Sequence, residues 1–71
     1  MTTQLWRERS EGHIVAVELY SGQVTRAMLV TCEDMEALVS DGIPQGADDA
    51  DLVDLIEMTG YDGFEWIGGW A

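Results

Sequence analysis

The most regular pattern of apolar and polar positions along the chain is that of an amphipathic helix in residues 48–60. The positions expected to pack recur at i, i+3, i+4 and i+7, the spacing of one helix face: Leu52, Leu55, Ile56 and Thr59. The outward positions between them are acidic: Asp51, Asp54 and Glu57. Asp48 and Asp49 stand where an N-cap is expected, and Gly60 can take the left-handed conformation that often ends a helix. The pattern therefore predicts a helix with one packing face and one acidic face.

Other segments have the alternation or the β-branched content of strands: residues 4–9, 14–20, 24–30 and 64–67. We expect the first of them to be an edge strand, and the second and third to pair as a β-hairpin around the loop 21–23. That pairing places Glu18 opposite Arg26, and we expect the charged pair to face away from the core.

A shorter helix is predicted after the hairpin. Thr31 is its expected N-cap, Asp34 stands three residues later as in a capping box, and Gly42 ends it. Apolar residues follow at packing spacing: Met35, Leu38 and Val39. Pro44 prevents the helix from continuing into the acidic one.

These elements predict an α+β fold in a single domain of residues 1–71. The order is β-β-β-α-α-β, and we expect an antiparallel sheet of three to four strands with both helices on one face. One core is expected from these residues: Val15, Val17, Leu19, Ala27, Leu29, Leu38, Leu55 and Ile56.

The formal net charge of −11 is concentrated in one half of the chain. In residues 1–30 three arginines balance three glutamates, whereas residues 31–71 contain eleven acidic residues and no basic residue. Such a field opposes binding to nucleic acid or anionic membranes and favours encounter with a basic protein surface. The alternative is that the acidic surface only provides solubility.

Candidate catalytic and metal-binding residues are few. Cys32 would lie in the first turn of the shorter helix, but acidic neighbours oppose a thiolate, and sequence does not place His13 beside it, so a buried, inert cysteine is expected. Asp48, Asp49 and Asp51 could hold a divalent cation, yet they lack the spacing of an EF-hand and are better explained as capping and surface charge. We therefore expect no enzyme, no cofactor and no metal site.

The location expected is the cytoplasm. A single cysteine cannot form an internal disulfide, no segment approaches the ~20 apolar residues of a membrane span, and the N-terminus lacks the pattern of a signal peptide. Among the aromatic residues, Phe64 and Trp66 are expected in the core, and Trp70 is expected to close the core rather than to serve as an exposed interface anchor.

The chain resembles the very small, acidic, cysteine-poor proteins that phages use against host defences, anti-CRISPR proteins among them. The features that carry the resemblance are the short chain, its start at residues 1–4, the acidic stretches 33–36 and 48–51, and the absence of a catalytic set. The resemblance implies a stoichiometric inhibitor that docks on a nucleic-acid-binding machine, such as a CRISPR-Cas surveillance complex, in the host cytoplasm.

The charge pattern itself predicts the interface. Carboxylates three and four residues apart on a helix are neighbours, so they can occupy arginine and lysine sites built for phosphates. The expected partner-binding residues are Glu33, Glu36, Asp48, Asp49, Asp51, Asp54 and Glu57. The partner expected is the basic surface of a nucleic-acid-binding protein, and the chain is expected to be a monomer or homodimer that binds neither nucleic acid nor membrane. The alternative is a small adaptor subunit that binds through an apolar patch around Trp70 or through the strand at residues 5–9.

Overall fold

The structure, a computed structural model, describes residues 2–31 and 33–70. Its elements are β1 (Thr2–Glu8), β2 (Ile14–Tyr20), β3 (Gln23–Val30), α1 (Asp34–Asp41), α2 (Ala50–Thr59) and β4 (Phe64–Trp70). The strands within these residues form one antiparallel sheet in the order β3-β2-β1-β4. The predicted α+β class and the order β-β-β-α-α-β are confirmed.

The two helices lie on opposite faces of the sheet, so the prediction that they share one face is wrong. Val15 and Val17 of β2 pack with Ile56 of α2, whereas Ala16 packs with Leu38 of α1. Because successive side chains of a strand point to opposite faces, these contacts place one helix on each side. The sheet is therefore buried from both sides at its centre.

Each face has its own cluster of buried residues in place of the one core that was expected. The α2 side contains Val15, Val17, Ala27, Ile56 and Phe64, and the α1 side contains Ala16, Leu38 and Ile43. Leu29 and Leu55 were expected in the core, but both are exposed. Leu19 is partly buried against the α2-side cluster.

The first strand is not at the edge of the sheet, contrary to the prediction, because β1 pairs with both β2 and β4. Among the described residues, β4 has a neighbouring strand on one side alone. It also continues beyond the predicted end at Ile67, and Trp70 packs against the α1-side cluster as the expected closing residue. Trp66 is instead 52% exposed, which corrects its expected place in the core.

The β2–β3 hairpin closes with the two residues Ser21 and Gly22, and both have positive φ (53° and 80°). Positive φ at both central residues is the conformation of the tight turn whose twist matches that of the flanking strands. The pairing register then shifts at Thr25, which restores the expected pair of Glu18 and Arg26.

The Glu18–Arg26 pair lies under the loop after α1, so the expectation that it faces away from the core is wrong. Glu18 is buried, and its Oε1 lies 3.2 Å from Nη1 of Arg26. Its Oε2 accepts a hydrogen bond from the N–H of Ile43 (3.3 Å), and Nη2 of Arg26 donates to the carbonyl of Pro44 (2.6 Å). The pair thereby fixes the loop that places Ile43 in the core.

The shorter helix begins at Asp34 with Glu33 at its N-cap, so the prediction that Thr31 is the N-cap is wrong. Asp34 Oδ2 accepts from both the N–H (3.3 Å) and the hydroxyl (2.9 Å) of Thr31, so the two predicted capping partners do contact each other. The expected inert Cys32 lies outside the described residues. Neither α1 nor α2 has the length and apolar content that a membrane crossing requires.

Candidate functional site: the outer face of α2

The acidic helix α2 is fixed at both ends by the residues that the sequence indicated. Oδ1 of Asp49 accepts from the N–H groups of Asp51 (3.0 Å) and Leu52 (3.2 Å). Gly60 has φ 61° and donates its N–H to the carbonyl of Ile56 (2.8 Å). Asp49 thus caps the N-terminus of α2 and Gly60 ends the helix, both as expected.

The chain reaches α2 by passing the edge strand β3. The N–H of Asp49 donates to the carbonyl of Ala27 in β3 at 2.7 Å. This bond holds the N-terminus of α2 beside the sheet, on the way from the α1 face to the α2 face. The orientation of the helix about its own axis then follows from the burial of Leu52, Val53 and Ile56.

That orientation places a mixed acidic and apolar stripe toward solvent. We call it the α2 outer face, and it comprises Asp51, Asp54, Leu55 and Met58. These residues have the i, i+3, i+4, i+7 spacing of a single helix face. Met58 is 84% exposed and Leu55 is 44% exposed. The predicted acidic face therefore exists, but it includes two apolar side chains that sequence reasoning had partly assigned to the core.

The carboxylates of the α2 outer face are not neutralised by the protein itself. Among the described residues, the arginines that form ion pairs do so elsewhere: Arg7 with Glu65 (3.4 Å) and Arg26 with Glu18 (3.2 Å). The last turn of α2 also contains no basic residue. The negative field along the helix thus remains available to an external cation.

Glu57 lies beside this face, at a shallow cavity of about 440 Å³ between the C-terminal part of α2 and the β2–β3 hairpin. Ile56, Tyr61, Leu19 and Gln23 contribute to its walls. A carboxylate beside a partly apolar concavity can pair with the head of a lysine or arginine while the walls contact the alkyl stem. Glu57 is therefore suited to a contact different from those of Asp51 and Asp54.

Tyr61, on the same cavity, has several unusual features. Its φ is 70°, in the left-handed region that residues other than glycine seldom adopt, and its ring stacks on Trp6 with centroids 4.1 Å apart. Its hydroxyl is buried without a hydrogen-bond partner among the described residues, and burial raises the pKa of the phenol. An unpaired buried hydroxyl costs stability, so the Tyr61 side chain is held by packing, while its carbonyl accepts a hydrogen bond from the N–H of Phe64 (3.0 Å).

The structure brings together some of the seven predicted interface residues and separates others. Asp51, Asp54 and Glu57 are exposed on α2, and Asp48 is exposed in the preceding loop. Asp49 is exposed at the N-cap of α2. The other two are exposed near the start of α1, on the other side of the sheet: Glu33 and Glu36. The acidic residues therefore form two surfaces and not one continuous interface.

Sequence reasoning missed a cluster at the β1–β2 turn. His13 Nδ1 lies 3.4 Å from Oε1 of Glu8 and 3.4 Å from Oε2 of Glu11. The sequence does place two glutamates before Gly12 and the histidine directly after it. Only the geometry of the turn shows that the three side chains come together.

Comparisons with protein family models, with curated proteins and with solved structures found no match.

Proposed function

We propose that this protein is a stoichiometric inhibitor that binds another protein and occupies its basic nucleic-acid-binding site with the α2 outer face. The observation that carries the proposal is the exposed, un-neutralised pair Asp51 and Asp54 beside the exposed side chains of Leu55 and Met58. Carboxylates at i and i+3 have Cβ atoms about 5–6 Å apart, so adjacent basic side chains of a phosphate-binding groove can reach both.

The apolar residues on the same stripe favour a protein partner over a diffuse counterion cloud. Methionine is flexible and polarisable, and it is enriched at protein interfaces. A partner that covers Met58 and Leu55 removes apolar surface from water while its basic residues pair with Asp51 and Asp54. Burial of the carboxylates then strengthens their charge-assisted hydrogen bonds, because water no longer screens them.

Inhibition by occupation of a binding site requires no catalysis, cofactor or metal. Glu57 and Asp48 extend the acidic surface at either end of α2, whereas Glu33 and Glu36 would contact a partner that also reaches the α1 face. A CRISPR-Cas surveillance complex in a host cytoplasm is the partner class implied by the resemblance to anti-CRISPR proteins. The isolated protein should bind neither DNA nor RNA, since its charge of −11 repels polyanions.

The test is affinity capture of a partner from bacterial lysate, followed by competition with double-stranded DNA. We expect DNA to displace the captured partner, and we expect capture to weaken as salt rises from about 0.1 M to about 1 M, where the Debye length falls from ~10 to ~3 Å. The double variant Asp51→Asn/Asp54→Asn should lose at least about a hundredfold in affinity, because each charge-assisted contact contributes about 1.5–3 kcal/mol.

The matched control is Asp41→Asn/Asp62→Asn, which removes the same charge from exposed positions off the α2 outer face. It should bind as the parent does. Equal weakening in both double variants would show that net charge alone matters, and a partner that DNA cannot displace would contradict occupation of a nucleic-acid site.

The second candidate function is an adaptor that binds a partner by strand addition. The strand expected to accept the partner, β1, is internal, so the edge strand β4 takes that role in the proposal. In the described sheet, β4 is an edge, and Trp66 on it is half exposed with its ring 5.5 Å from that of Trp6. Main-chain pairing to this edge would resist salt and would be unaffected by the amides at Asp51 and Asp54. Binding of that kind, abolished by Trp66→Ser, would replace the inhibitor proposal.

A further inference from the structure

The turn between β1 and β2 brings an imidazole and two carboxylates into one cluster. Nδ1 of His13 lies 3.4 Å from Oε1 of Glu8 and 3.4 Å from Oε2 of Glu11. All three donor atoms lie within 4.8 Å of one another. Glu8 is half-buried, and the other two residues are exposed, so the cluster can be reached from solvent.

The backbone of this turn is fixed by its own hydrogen bonds. The N–H of Glu8 donates to the carbonyl of His13 (2.8 Å), and the N–H of Gly12 donates to the carbonyl of Glu8 (2.7 Å). Gly12 has φ 78°, a conformation that a residue with a Cβ seldom adopts. The three side chains therefore start from a backbone that needs no large rearrangement to converge on a ligand.

The spacing of the donor atoms fits a tetrahedral metal ion. Zinc binds histidine nitrogen at about 2.0–2.1 Å and carboxylate oxygen at about 2.0–2.2 Å, so two ligands of a tetrahedral site lie roughly 3.3–3.5 Å apart. The two nitrogen-to-oxygen distances of 3.4 Å match that edge. The imidazole distinguishes this cluster from an ordinary group of surface acids. Imidazole nitrogen favours zinc and other transition metals over magnesium or calcium.

We propose that Glu8, Glu11 and His13 form a three-ligand site for Zn²⁺, with the fourth position open to water. The site is remote in sequence from the α2 outer face and does not depend on the proposed inhibitor function. It ties the end of β1 to the start of β2, so a bound ion would hold the turn closed and stabilise the folded state by mass action.

The test is a titration of the full chain with Zn²⁺, followed by NMR and by calorimetry. The chain has a single histidine, so its imidazole signals need no assignment by mutation. We expect those signals to shift saturably with one equivalent of Zn²⁺ and not with Mg²⁺. The affinity for Zn²⁺ should fall by about tenfold or more in Glu11→Gln and in His13→Ala, since even residues that only orient a ligand cost about 10–100-fold.

The control is Asp51→Asn/Asp54→Asn, which lowers the negative charge by the same or a greater amount but leaves the turn intact. Its Zn²⁺ affinity should equal that of the parent. The proposal is overturned if the imidazole signals of the parent do not respond to Zn²⁺, or if all variants bind Zn²⁺ equally, as a diffuse acidic surface would. The parent NMR titration decides the matter even where a variant folds poorly.

Discussion

The buried pair of Glu18 and Arg26 leads to an asymmetric prediction. The Glu18 side chain is 3% exposed, whereas the Arg26 side chain is 31% exposed. Removal of the arginine charge by Arg26→Met leaves a buried carboxylate with the Ile43 N–H as its remaining partner. Removal of the glutamate charge by Glu18→Gln leaves an arginine that can reach water and an amide oxygen that can still accept from Ile43.

The two costs can be estimated from these environments. An uncompensated buried charge costs about 3–5 kcal/mol, so Arg26→Met should fall near the lower end of that range because one hydrogen bond to Glu18 remains. Glu18→Gln should cost about 1 kcal/mol, the value of a typical hydrogen bond. A chain of 71 residues has a total stability of roughly 4–11 kcal/mol, so Arg26→Met should remain folded but lower the melting temperature by roughly 12–24 °C.

The decisive measurement is urea denaturation followed by tryptophan fluorescence for the parent, both single variants and the double variant. Adding Glu18→Gln to Arg26→Met should restore part of the lost stability, because the double variant has no buried charge. If the double variant is no more stable than Arg26→Met alone, the carboxylate is not the source of the cost, and the reasoning from burial is refuted.

Further predictions concern the core, the phenol and the loop. Ile56→Ala should cost about 2–5 kcal/mol, whereas Leu55→Ala should cost less than about 1.5 kcal/mol because Leu55 is exposed; denaturant midpoints of the two variants check this order. Tyr61→Phe should raise stability by about 1 kcal/mol, because it removes an unpaired buried hydroxyl. Burial raises the pKa of the Tyr61 phenol in the folded state above the value of about 10 in the unfolded chain. The free energy of unfolding is therefore unaffected by this group below about pH 10 and falls as pH rises through the folded-state pKa. Alkaline melting curves should show that loss in the parent and not in the phenylalanine variant. Gly42→Ala should destabilise the chain by at least about 1 kcal/mol in thermal melting, because φ is 76° and the new Cβ would lie 2.9 Å from Oε2 of Glu18.

Local elements could be predicted from sequence because their determinants are local. The bounds of β2 agree with those expected, and the caps of α2 at Asp49 and Gly60 are where their side-chain and backbone chemistry indicated. The sheet order could not be obtained in this way, because nothing in the alternation of residues 4–9 shows whether a strand has one neighbour or two. That information depends on pairing with β4, more than fifty residues later.

The placement of one helix on each face did leave a signal in the sequence. Residues 14–17 are an unbroken apolar run, which is typical of a strand buried on both sides, and not the alternation of a strand with one wet face. The orientation of α2 was harder to predict because apolar residues occupy positions 52, 53, 55, 56 and 58, a stripe too wide to select a unique buried side. In the structure Val53 packs against the sheet and Leu55 does not, so that Leu55 and Met58 are exposed on the α2 outer face.

The bond from Asp49 to Ala27 has a consequence for self-association. One edge of the sheet, at β3, is partly occupied by the crossing segment, the chain around Asp49 that passes from the α1 face to the α2 face. The other edge, at β4, has no strand on its outer side among the described residues. A sheet with two unpaired edge strands can add further copies of the chain at both edges and grow into a fibre. Two copies that pair through β4 about a two-fold axis would have the two β3 edges on the outside of the joined sheet, each with the N–H of Asp49 bonded to the carbonyl of Ala27. The crossing segment at β3 would hinder further addition there, so edge-to-edge assembly through β4 favours a pair of chains over a fibre.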